Sequence, residues 1–342
     1  MSNENLLKFR NGENKKTRTG RWFDYFATVG GRKMSRTLMG AVSLGIPFML
    51  NSYQTLFIDY YLDFIRLYRH GLKVEVPEEI ELLIDQAADR VKLTTVHATH
   101  LKSFMVSGLD IKTCGSLNSI HHGFIGIPVN YLYDSELDID KMNLKLRTES
   151  IDWDSKCGEL LEKSLILTEK EKMFGIIRSI LELRNYNHVH NAFIPFFLCF
   201  GLYTTAQAIN QKYKLFLIPR AGRGLIYGAL AVFTYGLYSV ITDTIRMSQM
   251  LRVDDKLTSM GSDVIEGGIG FYEKMLNRNI AMRELSGKDL FSVKGNEYPG
   301  LLRYNALPLT KRKKNLEIAL EEARKKEKEA ENSKGTDSTP TE

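Results

Sequence analysis

Cysteine is scarce and scattered in this chain, with Cys114, Cys157 and Cys199 the three present. No C-x-x-C pair occurs, so neither a disulfide framework nor a thiolate metal site is expected. H-E-x-x-H, G-x-S-x-G, a Walker loop and a G-x-G-x-x-G followed by an acid are all missing. Their absence removes the motif-bearing routes to zinc proteolysis, serine hydrolysis and nucleotide binding. Among the seven histidines, His97/His100 and His188/His190 are close pairs, but no carboxylate or thiolate stands at a matching ligand spacing. They read as surface or interfacial histidines. No catalytic, cofactor-binding or metal-binding residue is assigned, and no cofactor is expected.

Charge is the other missing ingredient, and its absence is local. Asn185–Gln211 is a run of 27 residues without Lys, Arg, Asp or Glu, and Gly224–Thr242 is a second run of 19. About 20 apolar residues cross a bilayer as one helix. Between the runs lies a basic loop, 212–223, with Lys212, Lys214, Arg220 and Arg223. The arrangement reads as a transmembrane helical hairpin, which would put its two flanking segments on one side of the membrane. Buried helices of a soluble core are the alternative, but they rarely stay uncharged for so long.

A third uncharged run, 37–58, contains Pro47 and is read as a first span; Pro is tolerated in a membrane helix when neighbours satisfy the freed carbonyl. The first apolar run starts too late for a secretory signal peptide, and Glu4 and Glu13 fit a cleaved mitochondrial presequence poorly. Residues 1–36 carry nine Lys/Arg against three acids, whereas 59–184 carry 16 basic and 21 acidic residues. With no recognisable nucleic-acid module, this asymmetry is read as a topology signal. The expected fold is therefore an α+β multi-pass membrane protein. It has about three transmembrane helices, one N-terminal span plus the hairpin, and a split soluble α+β domain on one side.

Taken in order, the chain is expected to comprise a basic tail (1–36), a first span (37–58), a soluble α+β segment (59–184), a second span (185–211), the basic loop (212–223), a third span (224–242), a helical segment completing the domain (243–310) and a charged tail (311–342). Within the domain, Glu78–Val91 has Ile80, Leu83, Ile84 and Ala87 at helical spacing after Pro77. Residues 92–150 read as a small meander sheet, with alternation at Leu137, Ile139, Met142, Leu144 and Leu146. Thr168-Glu-Lys-Glu171 forms a capping box before a helix with Phe174, Ile177 and Leu181 on one face. Gly267-Gly268-Ile269-Gly270 has no preceding strand and reads as a flexible or closely packed helix start. Gly224 and Gly228 are spaced for close helix contact.

The order of sheet, capped helix and span pair resembles the layout of membrane-bound zinc peptidases of the heat-shock type. The stretch corresponding to their metal motif is Arg178-Ser-Ile-Leu-Glu182, which has no ligand His. A more specific likeness lies in the C-terminal third: Gly267-Gly268-x-x-Phe271-Tyr272-Glu273-Lys274-x-Leu276-x-x-Asn279, Arg283, Gly287-Lys288-Asp289 and Leu307-Pro308-x-Thr310-x-Arg312. Together with Gly126-Ile127-Pro128, Asp152-Trp153 and Leu167-Thr168, these residues resemble the transmembrane protein 177 family over about residues 35–315. The resemblance implies a mitochondrial inner-membrane protein acting in biogenesis of cytochrome c oxidase subunit 2, with that subunit and its membrane chaperone as partners. It implies no catalytic residues, no nucleic acid and no small-molecule substrate. A matrix-side N-terminus would put the acidic domain in the intermembrane space. The alternative readings are a catalytically dead peptidase-like scaffold and a structural membrane organiser working through Gly224 and Gly228.

Overall fold

The computed structural model describes Tyr25, residues 28–52 and residues 57–336, apart from 120–121, 142–143, 147–148, 186, 288, 301–302 and 305. The basic tail through Asp24 lies outside that range, as do Tyr53, His121, Met142 and Lys288. In chain order the elements are α1 (Val29–Ser52), α2 (Ile58–Ile65), β1 (Tyr68–Arg69), β2 (Leu72–Lys73), α3 (Glu78–Arg90), α4 (Thr95–His100), β3 (Leu101–Val106), β4 (Lys112–Gly115) and β5 (Gly123–Pro128). Next come β6 (Lys145–Leu146), β7 (Glu149–Ser150), α5 (Lys156–Leu165), α6 (Glu169–Leu183), α7 (Asn187–Lys212), α8 (Arg220–Thr258), α9 (Ser262–Ser286) and α10 (Leu309–Thr336). They fall into two compact units: a smaller one from Met1–Met49 and Ala192–Thr234, and a larger one from Leu50–Asn191 and Tyr235–Glu342.

The smaller unit holds most of the uncharged sequence. Two helical stretches are long and apolar enough to cross a membrane, Phe193–Lys212 and Ala221–Thr258, with 0% and 6% of their apolar windows buried within the protein. Such faces are covered by lipid or by a partner. The expected count of three spans is not confirmed. A helix does occupy the first run, but α1 starts at Val29 and carries Arg32, Lys33 and Arg36 in its first turns. In the segment between α7 and α8 Lys214 adopts a left-handed conformation (φ 49°) and Leu215 is buried. α7 continues through Pro195. α8 runs 16 residues past the uncharged stretch, to Thr258. Nothing in Asp243–Thr258 stops a helix, whereas Gly261 (φ 115°) does.

The larger unit is built around α6. Its capping box is formed: the Thr168 amide donates to Glu171 Oε2 at 2.7 Å and the Glu171 amide to Thr168 Oγ1 at 3.4 Å. The sequence suggests one apolar face, but Met173, Phe174, Ile176, Ile177, Ile180, Leu181 and Leu183 are all buried, so α6 is enclosed on nearly every side. Its last carbonyls are also met, since Ser116 Oγ and the Leu117 amide both donate to the Leu183 carbonyl at 3.1 Å. α3 packs on α6, and α9 packs on α5, α6 and α10. The first turn of α3 carries Glu78, Glu79 and Glu81, which favour the positive end of its dipole.

The strands do not form a meander. β3 pairs parallel with β5 and β4 pairs antiparallel with it, giving the order β3-β5-β4. The connection between β3 and β5, residues 107–122, carries β4 and is long enough to bring the chain back for a parallel pair. Alternating residues serve opposite faces: Phe104, Val106 and Phe124 meet Ile58 and Leu62 of α2, while Met105, Ile125 and Ile127 enter the core around α6. The alternation at Leu137–Leu146 is largely not a strand. Asp138 Oδ2 accepts from the Asp134 and Ser135 amides and from Ser135 Oγ, closing a 3-10 turn. Local side-chain bonds of this type compete with strand pairing. Leu137 is exposed and Ile139 buried, and among the described residues of this stretch Lys145–Leu146 pairs with Glu149–Ser150.

Candidate functional site

The glycine-rich start of α9 is closely packed. A Cβ at Gly267 would collide with the Lys170 carbonyl, one at Gly268 with the Phe174 ring, and one at Gly270 with the Glu171 carboxylate. The three glycines bring α9 onto α6 without intervening side chains. Across this seam, Glu171 has a second role beyond capping. It accepts from Lys274 Nζ at 2.7 Å, and Lys274 also donates to the Ile166 carbonyl at 2.5 Å. The motif residues that carry the family likeness are thus struts of the interior.

Tyr272 is fully buried, edge-on to Phe174 at 5.5 Å between ring centroids. Arg312 of α10 stands 4.9 Å from the centre of its ring and Arg178 of α6 stands 6.0 Å from it. Arg312 is itself buried and grips Asp254 of α8, with Nε to Oδ2 at 2.9 Å and Nη2 to Oδ1 at 2.5 Å. Burial pushes the Tyr272 phenol up to about 12, against the opposing pull of Arg178 and Arg312. Burial also works against the charge on Arg178, but Glu182, 2.9 Å from its Nε, helps hold its pKa above the ordinary guanidinium value.

Six residues beyond Tyr272 toward the C-terminus of α9, Arg278 donates to the Leu109 carbonyl at 2.9 Å and pairs with Asp110 at 2.8 Å. Asn279 Nδ2 donates to the Gly295 carbonyl at 2.8 Å. The segment between α9 and α10 is tied down at further points. Asn296 and Thr310 exchange two hydrogen bonds, and Asp243 accepts from the Arg303 side chain and from the Tyr304 amide at 2.6 Å.

These elements enclose a cavity of about 420 Å³. Its polar floor is Arg178, Arg278 and Arg312, each held by a carboxylate; Met250, Met275 and Met282 supply much of the apolar wall. Methionine is unbranched and polarisable and adapts to differently shaped occupants. Cavities of a few hundred Å³ with an apolar wall and a few convergent polar groups are the usual form of a ligand site. The Ser179 hydroxyl on this wall donates back to the Gly175 carbonyl at 2.8 Å. The arrangement suits binding.

The stretch set against the peptidase motif is here the Arg178–Glu182 ion pair, on the cavity floor. Among the described residues no cluster of three or more His, Cys, Asp or Glu could hold a metal. His100 Nδ1 lies 3.2 Å from the Ser119 carbonyl and its ring lies 4.9 Å from that of His122. Cys114, Cys157 and Cys199 are free thiols, and burial pushes Cys114 up to about 11. Sequence reasoning missed the cavity. Its floor joins α6, α9 and α10, which are far apart in the chain, and Arg312 stands in the charge run Lys311-Arg-Lys-Lys314, which gives no local sign that one of its members is buried.

A family model described as Transmembrane protein 177 matches residues 26–325. Transmembrane protein 177 of Xenopus laevis is 29% identical over 203 residues, covering 57% of this chain and 65% of that protein. The Danio rerio protein of the same name is 23% identical over 279 residues, covering 78% and 87% respectively. The Homo sapiens protein is 25% identical over 249 residues, covering 71% and 78%. No solved structure matches.

Proposed function

We infer the role of this protein from the premise that the chain belongs to the transmembrane protein 177 family. It is a membrane protein of that family, whose names carry no enzyme activity. We propose that it is a non-enzymatic assembly and stability factor of the mitochondrial inner membrane. It would act in cytochrome c oxidase biogenesis on subunit 2 and on that subunit's membrane chaperone. The observation that carries the reading is the family match over most of the chain. It is supported by two long apolar helical stretches that the protein itself leaves almost wholly uncovered. Such surfaces hold partner helices through van der Waals packing and interhelical hydrogen bonds. The larger unit would shield the immature part of the client. With the basic N-terminal segment on the matrix side, that unit would face the intermembrane space.

Affinity purification of the tagged protein from gently solubilised mitochondria is the direct test. Enrichment of oxidase subunit 2 with its chaperone is expected. Their absence, with the bait recovered intact, overturns the proposal.

A further inference from the structure

The cavity of the larger unit has an unused recognition element. Arg178 spends only Nε on Glu182; among the described residues no protein acceptor meets Nη1 or Nη2, and the side chain is 21% exposed on the cavity floor. A guanidinium edge of two free N–H groups is the preferred partner of a carboxylate or phosphate. Glu182 occupies the Nε side, so it does not block that edge. The other floor cations are already committed, Arg278 to Asp110 and the Leu109 carbonyl, Arg312 to Asp254.

The walls and the mouth indicate what accompanies the anion. Met250, Met275 and Met282 line the interior, and the exposed rings of Tyr298 and Tyr304 stand at the rim. The rim is anchored to Asp243 through Arg303 and the Tyr304 amide, and Arg303 also lies over Tyr238 at 5.5 Å. Asp243 is the first charged residue after the uncharged run of α8. If that run is in lipid, its end lies at the headgroup level, where tyrosine and arginine settle. We propose that the cavity binds a single-chain acidic lipid, with its apolar chain among the methionines and its anionic head on the Nη edge of Arg178. The inference uses only membrane residence of the uncharged run and does not depend on the oxidase proposal.

The test uses the full-length protein in lipid nanodiscs and a long-chain fatty acid bearing a chain-end diazirine. After photolysis, labelled peptides are mapped by mass spectrometry. Labelling of Phe271–Met282 is expected, suppressed by excess oleate but not by oleyl alcohol. Arg178→Lys keeps the charge but removes the fork and should weaken competition by oleate about tenfold. Met275→Trp fills the chamber and should abolish the cavity label while the labels on α7 and α8 persist. Label confined to α7 and α8, or equal competition by the alcohol, overturns the proposal. A melting curve for each variant separates loss of the site from loss of the fold; labelling of Phe271–Met282 that survives Met275→Trp in a folded protein also overturns it.

Discussion

Arg312 reaches from α10 into the core of the larger unit and holds Asp254 of α8 through two parallel hydrogen bonds, with both side chains more than nine-tenths buried. The pair fixes α10 against α8 and places a guanidinium over Tyr272. Removing one partner leaves the other charge buried alone. Asp254→Ala should therefore cost about 3–5 kcal/mol, whereas the double change Asp254→Leu with Arg312→Met should cost much less. Denaturant unfolding in a fixed detergent measures the difference; equal losses would show that the pair is not the source.

The α6–α9 seam gives a contrast between glycines. Gly268→Ala drives a methyl group into Phe174 and Leu316, and should destabilise by about 1–3 kcal/mol. Gly228→Ala meets nothing within 4 Å, and its effect on melting should stay within about 0.5 kcal/mol. Thermal scans of the two variants side by side test the pair. If Gly228 has a partner in the membrane, its alanine variant changes the size of the complex instead.

Thr168→Ala removes the hydroxyl of the capping box and should cost about 1 kcal/mol. Because α6 lies at the centre of the larger unit, the loss should appear as a lower midpoint of the whole transition. A loss confined to local exchange at the first turn of α6 would contradict its central place. Hydrogen exchange at Glu169–Lys172, followed alongside the melt, distinguishes the two.

Cys114 supplies a pH prediction. Its thiol ionises near 9.0 when free of burial and is pushed up to about 11 in the fold. A group with a raised folded pKa contributes fully below its unfolded value, and that contribution is lost as pH rises toward the folded one. Stability should therefore decline between about pH 9 and pH 11, and Cys114→Ala should flatten that decline. At pH 8 iodoacetamide should modify Cys114 only after unfolding, well behind the partly exposed Cys157.

Trp153 and Tyr272 belong to one compact unit although the two uncharged runs separate them in sequence. Single cysteines at Asp154 and Glu284, introduced with Cys157 and Cys199 changed to Ser, should react with a membrane-impermeant reagent from the same side. Reaction from opposite compartments would exclude the hairpin topology.

Local signals are legible in the sequence, and long-range ones are not. The capping box at Thr168 and the α3 face from Ile80 to Ala87 depend on residues within a turn or two, the runs 185–211 and 224–242 on composition alone, and helices are found at each. The helix that holds the last uncharged run does not end with it, because a change of polarity does not end a helix; α8 continues to Thr258, ahead of a glycine with positive φ. The parallel pairing of β3 with β5 is set by the core on both faces, and no local spacing encodes it. The cavity is illegible for the same reason, since Arg178, Arg278 and Arg312 meet only after three helices pack. The glycine cluster at 267–270 is compatible with a loose or a tight helix start, and the Phe174 ring decides for tight.

The enclosure of α6 bears on how the chain is made. The helix that buries its exposed side, α9, is translated only after both apolar helices have emerged. Until then α3 and the sheet can cover one side of α6, but Phe174 lacks the Phe271 and Tyr272 rings it packs against. Synthesis of the larger unit thus includes an obligatory vulnerable interval, in which holding factors are needed and aggregation competes. Truncation anywhere before α9 should yield a polypeptide that is degraded, not a smaller working protein.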